Sequence, residues 1–455
     1  MNFPCAAQTK LLTSCVSHRT LFYREFLGSL IVQRPSAVII LFPFFSFILC
    51  AFLFWPGLMR PDSLVQMQQG IAGSFSDHHP PMMSFVFGLF DKLFRGSGPM
   101  FLFHLALYWG AVSLFARAEI HKAKWVYWIA FLPPVFAYQL LVLKDISFVN
   151  AYLFCAAWLH FYSMRDLSPS LLSLLGWLVI AFYGTCCTYQ AIIALPWLCL
   201  WFAKFYSSDR SKKWMITGLV MFGVIMAGAE TFNRTMSTPS NRSQHTKLYD
   251  LTGISAQLND PIFPEYIKQN TTYDFEQIKE LYNANRVDDL TYPMATNAQD
   301  QLDVLYSTWI RAVFFHPIAY LKHRWSLFYQ QLTVSLLKKP SDIKGEVSPP
   351  VLKILGWVES SGVFTLASWL MAYIVYFFIQ LAYIAKGYKQ FNEHPKYVSL
   401  FFQNIMGMSL VLSLFFIAGA AEARYAYIAI AMFHFSHPFL LHEAKPSRFT
   451  GRRFG

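Results

Sequence analysis

AVIILFPFFSFILCAFLFWPGL, residues 37 to 58, followed at once by Met59-Arg60-Pro61-Asp62-Ser63, decides how the rest of the chain is read. The run carries no charge and is long enough to cross ~30 Å of hydrocarbon. Charges return immediately after it. Arg60 and Asp62, then Asp77-His78-His79-Pro80-Pro81, gather two carboxylates and two imidazoles at the mouth of an apolar segment. Charged groups beside a bilayer are costly to desolvate, and those kept at the end of a span serve a ligand, an ion or a reaction. The loop 59–98 is therefore the candidate catalytic loop.

Working outward, composition agrees with the solvent that this run implies. Of 455 residues 55% are hydrophobic and 14% charged, with a mean hydropathy of +0.36, more apolar surface than one soluble domain buries. The expected fold class is an all-α polytopic membrane protein. The net charge of +12 sits mostly in short loops between apolar runs, where topology accounts for it and nucleic acid is not expected as a partner. The seven cysteines all lie before residue 200, most of them inside apolar runs, so no disulfide scaffold is expected.

Apolar windows place about ten spans, near 37–58, 99–117, 125–142, 146–163, 171–188, 190–204, 214–231, 358–385, 398–420 and 424–441. The stretch from Pro81 to Phe94 is too short and carries Asp91 and Lys92, so it reads as an amphipathic helix at the interface. This divides the chain into a cytoplasmic arm (1–36), an N-terminal transmembrane module (37–231), an extracytoplasmic segment (232–357), a C-terminal transmembrane module (358–441) and a basic tail (442–455). With the N-terminus inside, nineteen Lys and Arg fall in cytoplasmic segments and five in short outer loops. That bias puts both termini in the cytoplasm and the candidate loop outside.

The same topology collects the other unusual polar groups on the outer side: Lys144-Asp145 between the third and fourth spans, Glu230 closing the seventh, Tyr249-Asp250 in the long segment, and Glu422-Ala423-Arg424-Tyr425 before the last span. A basic aromatic stretch, His316 to Trp325, is expected to return to the membrane surface. The cytoplasmic side has no comparable acidic cluster, which argues against nucleotide chemistry there.

An Asp a few residues beyond the first span, a helix opening at a His-Pro pair in the first outer loop, Lys144-Asp145 after the third span and Arg424-Tyr425 at the last make the chain resemble the GT-C superfamily of multispanning glycosyltransferases. Tyr249-Asp250-Leu251-Thr252-Gly253-Ile254-Ser255 and His316-Pro317 with Tyr320-Leu321-Lys322-His323-Arg324 are similar to a bacterial branch related to protein mannosyltransferases and to the aminoarabinose transferase of lipid A. The resemblance implies a GT-C-like fold, a polyprenyl-phosphate sugar as donor and an extracytoplasmic glycan, lipid or protein as acceptor. Protein mannosyltransferases carry an Asp-Glu pair in this loop, whereas Asp62 is followed here by Ser63. No neighbouring acid is there to share a divalent metal with Asp62, so no cofactor is expected, with a divalent metal as the less favoured alternative.

Transfer from a lipid phosphate needs a carboxylate to take the acceptor's proton and cations to hold the phosphate that leaves. Asp62 is the expected base, its pKa raised by partial desolvation at the interface; the structural alternative is an N-cap for a helix over 63–71. Asp77 is the second catalytic candidate, set against a cap before a proline-started helix. His78 and His79 are candidate substrate ligands, since adjacent imidazoles are poorly spaced for a metal. Lys144, Arg324 and Arg424 are the candidate phosphate cations, set against snorkelling anchors. Asp145, Glu422 and Tyr425 complete the substrate-binding set, although Glu230 and Glu422 are equally readable as neutralising a nearby arginine. A glycan polymerase or ligase is the closest rival function. A lipid or solute transporter is more distant, since it places ionisable groups within its spans and often repeats its halves.

Overall fold

The computed structural model describes residues 37–207, 212–271, 273–282, 288–333, 353 and 373–440. The expected arm at 1–36, the tail at 442–455 and most of the expected span at 358–385 lie outside the described residues. The described chain is all-α. In order it forms α1 (Ala37–Phe54), α2 (Pro61–Ala72), α3 (Pro81–Asp91), α4 (Gly98–Ala118), α5 (Ala123–Ala130), α6 (Pro133–Phe136), α7 (Lys144–Arg165), α8 (Leu171–Cys187), α9 (Ala191–Tyr206) and α10 (Lys213–Met236). The later segment contributes α11 (Ser243–Leu258), α12 (Glu265–Asn270), α13 (Phe275–Leu281), α14 (Asp288–Thr291), α15 (Gln299–Phe315) and α16 (Pro317–Thr333). α17 (Ile374–Lys389), α18 (Pro395–Ile417) and α19 (Tyr427–Ser436) follow.

Among the described residues four helices, α1, α4, α10 and α18, are long and apolar enough to cross a membrane. α1 and α10 leave most of their apolar surface uncovered, with Phe52 and Val224 facing outward, whereas α4 and α18 are buried over more than half of theirs. Among the described residues two of the expected spans are not continuous helices. The run 125–142 breaks at Pro133-Pro134, because proline lacks an N–H and pushes the preceding residue out of the helical region. It becomes α5, α6, a 3-10 turn at Ala137–Leu140 and the strand Leu141–Val142. The run 424–441 becomes a 3-10 turn at Ala423–Ala426, the ten-residue α19 and a second 3-10 turn at His437–Phe439. α19 is apolar all round because protein buries every one of its residues. Apolar sequence alone does not tell a helix in lipid from one sheathed by other helices.

Most of the described bundle shares one large core, in which α7 packs between α4 and α8 and α18 packs against α9, α17 and α19. The segment after α10 has a core of its own, built on Leu248, Leu251, Ile254, Leu290 and Leu305. Tyr249, Leu327 and Leu414 join that core to the end of α18. The five described cysteines are buried and free.

Two short parallel pairings position the loops. β1 (Leu58–Met59) pairs with β3 (Leu141–Val142), and each strand runs directly into a helix, α2 and α7. The Ser63 hydroxyl donates to the Val142 carbonyl and ties the same joint. β2 (Phe75–Ser76) pairs with β4 (Ser237–Thr238), which brings Asp77-His78-His79 beside Ser240 and Arg242. α2 and α3 cross at glycines: a Cβ on Gly70 would lie 2.2 Å from the Ser84 carbonyl oxygen, and one on Gly88 2.4 Å from that of Gly70. α3 buries Met83, Ser84 and Phe87 and leaves Leu89 exposed, so its inner face is spent on protein.

Candidate active site

The β1–β3 pairing sets Asp62, in the first turn of α2, beside Lys144 and Asp145, in the first turn of α7. The 3-10 turn after α18 supplies Arg424 from the other side. Arg424 Nη1 donates to Asp62 Oδ2 at 2.8 Å, and its Nε lies 3.5 Å from Asp145 Oδ2 and 3.8 Å from Glu422 Oε2. Lys144 Nζ stands 3.7 Å from Asp62 Oδ2 and 3.2 Å from His79 Nδ1. Arg60 Nη1 meets Glu422 Oε2 at 3.7 Å. Three carboxylates thus alternate with cations along one wall, and two helix N-termini point their partial positive charge at it.

This wall bounds a cleft of about 540 Å³, within the range of small-molecule sites. The cleft is also lined by Thr188, Tyr189 and Gln190 from the joint between α8 and α9, His78 from the first loop, and Arg242 and Tyr292 from the long segment. His78 Nε2 lies 3.2 Å from the Tyr292 hydroxyl, and His245 packs edge-on against both rings. The guanidinium carbon of Arg242 sits 3.3 Å from the centre of the Tyr189 ring.

The electrostatics reverse one expectation. Burial alone would raise the Asp62 pKa, but Arg424 and Lys144 outweigh it and hold the carboxyl well below the usual range. The expected upward shift fails because the interface supplies cations as well as desolvation. Burial, helped by the Lys144 ammonium, pushes the neighbouring His79 down to about 2, so its imidazole is neutral at physiological pH. Burial also lowers Lys144, against the pull of Asp145 and Asp62.

The cleft gathers Asp62, His78, His79, Lys144, Asp145, Glu422, Arg424 and Tyr425. Asp62 is not the cap of α2: Arg60 holds that position, and the Asp62 carboxylate is engaged by cations. Asp77 is not in the cleft wall. Its Oδ1 accepts the Ser240 amide at 2.5 Å and the Ser240 hydroxyl, which locks β2 to β4 rather than capping α3. Glu230 is an exposed partner of Arg234 one turn away on α10.

Arg324 also leaves the set. It is 1% exposed on α16, donating to Asp250 Oδ2 at 2.7 Å and to the Ala418 carbonyl at 2.6 Å. Asp250 further accepts from Trp309 Nε1 at 2.8 Å and faces His323 Nε2 at 3.2 Å, while the Tyr282 hydroxyl meets His323 Nδ1 at 2.5 Å. The stretch expected to return to the membrane surface therefore puts its His-Arg pair inside the protein. Gly253 is needed there, since a Cβ would fall 2.0 Å from His323 Nδ1. Two helical turns further on, the Gln331 side chain accepts from the Glu422 amide and donates to its carbonyl, both at 2.9 Å, and so presents Glu422 and Arg424 to the cleft.

The donor set does not fit a divalent metal. Asp62, Asp145 and Glu422 each face a cation, and among the described residues no three His, Cys, Asp or Glu side chains are placed to hold a metal ion together. Sequence reasoning missed Tyr189, Arg242 and Tyr292. For Tyr189 a signal existed, a three-residue polar break between two apolar runs on the expected outer side; for the others no local pattern does. Comparison with protein-family models, curated proteins and solved structures finds no match. What the fold and the site define is an all-helical protein, with helices apolar and long enough to cross a membrane, that closes an ion-paired cleft at its loops.

Proposed function

We propose that the protein is an integral membrane glycosyltransferase that moves one sugar from a polyprenyl-phosphate donor to a glycan, lipid or protein acceptor on the extracytoplasmic side of a bacterial inner membrane. The observation that carries this reading is Asp62 held between Lys144 and Arg424 in the cleft wall. A base and a phosphate-holding pair of cations stand within one side chain's reach, as the chemistry requires.

In this reading the donor phosphate enters between Lys144 and Arg424 and draws them from Asp62. The Asp62 carboxylate, no longer neutralised, gains proton affinity when substrate is present. It takes the acceptor's hydroxyl proton while that oxygen attacks the anomeric carbon from the face opposite the phosphate. The bond from that carbon to the phosphate oxygen breaks, its electron pair leaves with the oxygen, and the polyprenyl phosphate stays on the two cations. The configuration at the anomeric carbon inverts.

The test compares purified wild-type protein with Asp62→Asn under a polyprenyl-phosphate sugar. The variant is expected to lose about a hundredfold or more in rate, and transfer at the wild-type rate removes Asp62 from the role of base. Mass spectrometry of envelope glycans from a deletion strain decides the reaction: one missing sugar supports a transferase, a lost or shortened polymer a polymerase or ligase.

A further inference from the structure

We propose that Arg242 forms a second anion subsite in the cleft and that it binds a carboxylate or phosphate carried by the acceptor; the word acceptor rests on the transferase reading, the anion site does not. The cations of the first wall are all matched: Lys144 and Arg424 by Asp62, at 3.7 and 2.8 Å, and Arg60 by Glu422 at 3.7 Å. Arg242 lines the same cleft and, among the described residues, no hydrogen bond or ion pair engages its guanidinium. Asp77 attracts it electrostatically but gives its Oδ1 to the Ser240 amide and hydroxyl.

The geometry is that of a waiting receptor. The guanidinium carbon lies over the Tyr189 ring, 3.3 Å from its centre, and the Tyr189 hydroxyl is itself fixed by donating to the Asp77 carbonyl at 2.9 Å. Stacking spends the face of the guanidinium and leaves its N–H edge for a forked acceptor, which carboxylates and phosphates both offer. The subsite is also pinned from behind, because β4 pairs with β2 just before Arg242 and α11 begins just after it. Tyr292 and His78 line the same cleft, aromatic surfaces suited to a sugar ring. An unbalanced cation in the same cleft as a charge-balanced donor wall favours an acidic partner over a neutral one.

The test measures binding of D-glucuronate, D-glucose 6-phosphate and D-glucose to the full chain in lipid nanodiscs, with wild type, Arg242→Gln, Arg242→Lys and Lys144→Gln. Wild type is expected to prefer at least one acidic probe over D-glucose by about tenfold or more, the worth of a charged hydrogen bond. Arg242→Gln abolishes that preference, Arg242→Lys keeps part of it, and Lys144→Gln keeps it. The acid preferred tells a uronate-bearing acceptor from a phosphorylated one. Equal binding of acidic and neutral probes by wild type, or a preference that survives in Arg242→Gln, overturns the proposal; so does a preference lost in Lys144→Gln but not in Arg242→Gln. Since no turnover is read, failure of the transferase reading shows separately, as absence of sugar transfer by the same wild-type sample.

Discussion

Asp62 is the residue on which the site turns, and its charge is set by its neighbours. A carboxyl whose pKa is depressed on folding stabilises the native state above its unfolded value of about 3.9 and loses that contribution as pH falls through the folded value. Arg424 and Lys144 depress Asp62, so the wild-type protein is expected to lose thermal stability below about pH 4 partly through this group. Asp62→Asn is expected to flatten that acid limb in unfolding temperatures measured against pH, and an unchanged slope contradicts the ion pairing. Asp62, Lys144 and Arg424 were legible as candidates because charged residues at the ends of apolar runs stand out. The pairing of Asp62 with Arg424 was not, because Arg424 lies 362 positions from Asp62. Asp77 and Arg324 have the same local look, and only their partners, Ser240 and Asp250, show them to be structural.

At the scale of elements, the cleft depends on joints that hold loops in register. The α2–α3 crossing has no room for a side chain: a Cβ on Gly88 meets the Gly70 carbonyl at 2.4 Å. Gly88→Ala is expected to cost about 1–3 kcal/mol by prising these helices apart, seen as a lower unfolding temperature; unchanged stability would show that the helices slide freely. On the far side α16 holds the turn that carries Arg424, through Gln331 and through Arg324 on the Ala418 carbonyl. Arg324→Leu leaves the Asp250 carboxylate buried without its cation and is expected to destabilise the protein by about 3–5 kcal/mol. Adding Asp250→Asn is expected to recover part of that loss. A single variant as stable as wild type would mean that the pair holds nothing together. The helices α2 and α3 were visible from local sequence, but the β1–β3 and β2–β4 pairings were not, since two residues per strand carry no periodic signal.

For the whole molecule, the proposed orientation makes a direct prediction. Single cysteines placed at Arg95 and at Lys124 are expected to react differently with a membrane-impermeant maleimide on spheroplasts, the first labelled and the second protected; the reverse pattern inverts the topology. The described native cysteines are buried and leave the background low. The sequence by itself determined the solvent class, the helical fold and the identity of most charged residues of the cleft, because long uncharged runs and isolated charges are local properties of a chain. Only the tertiary structure decided which apolar runs reach the outside, why α19 is a sheathed core helix, and which cations are free to meet a ligand. Burial and charge pairing depend on what lies opposite each residue, and in this chain the partners of Asp62, Arg242 and Arg324 come from segments far apart in sequence.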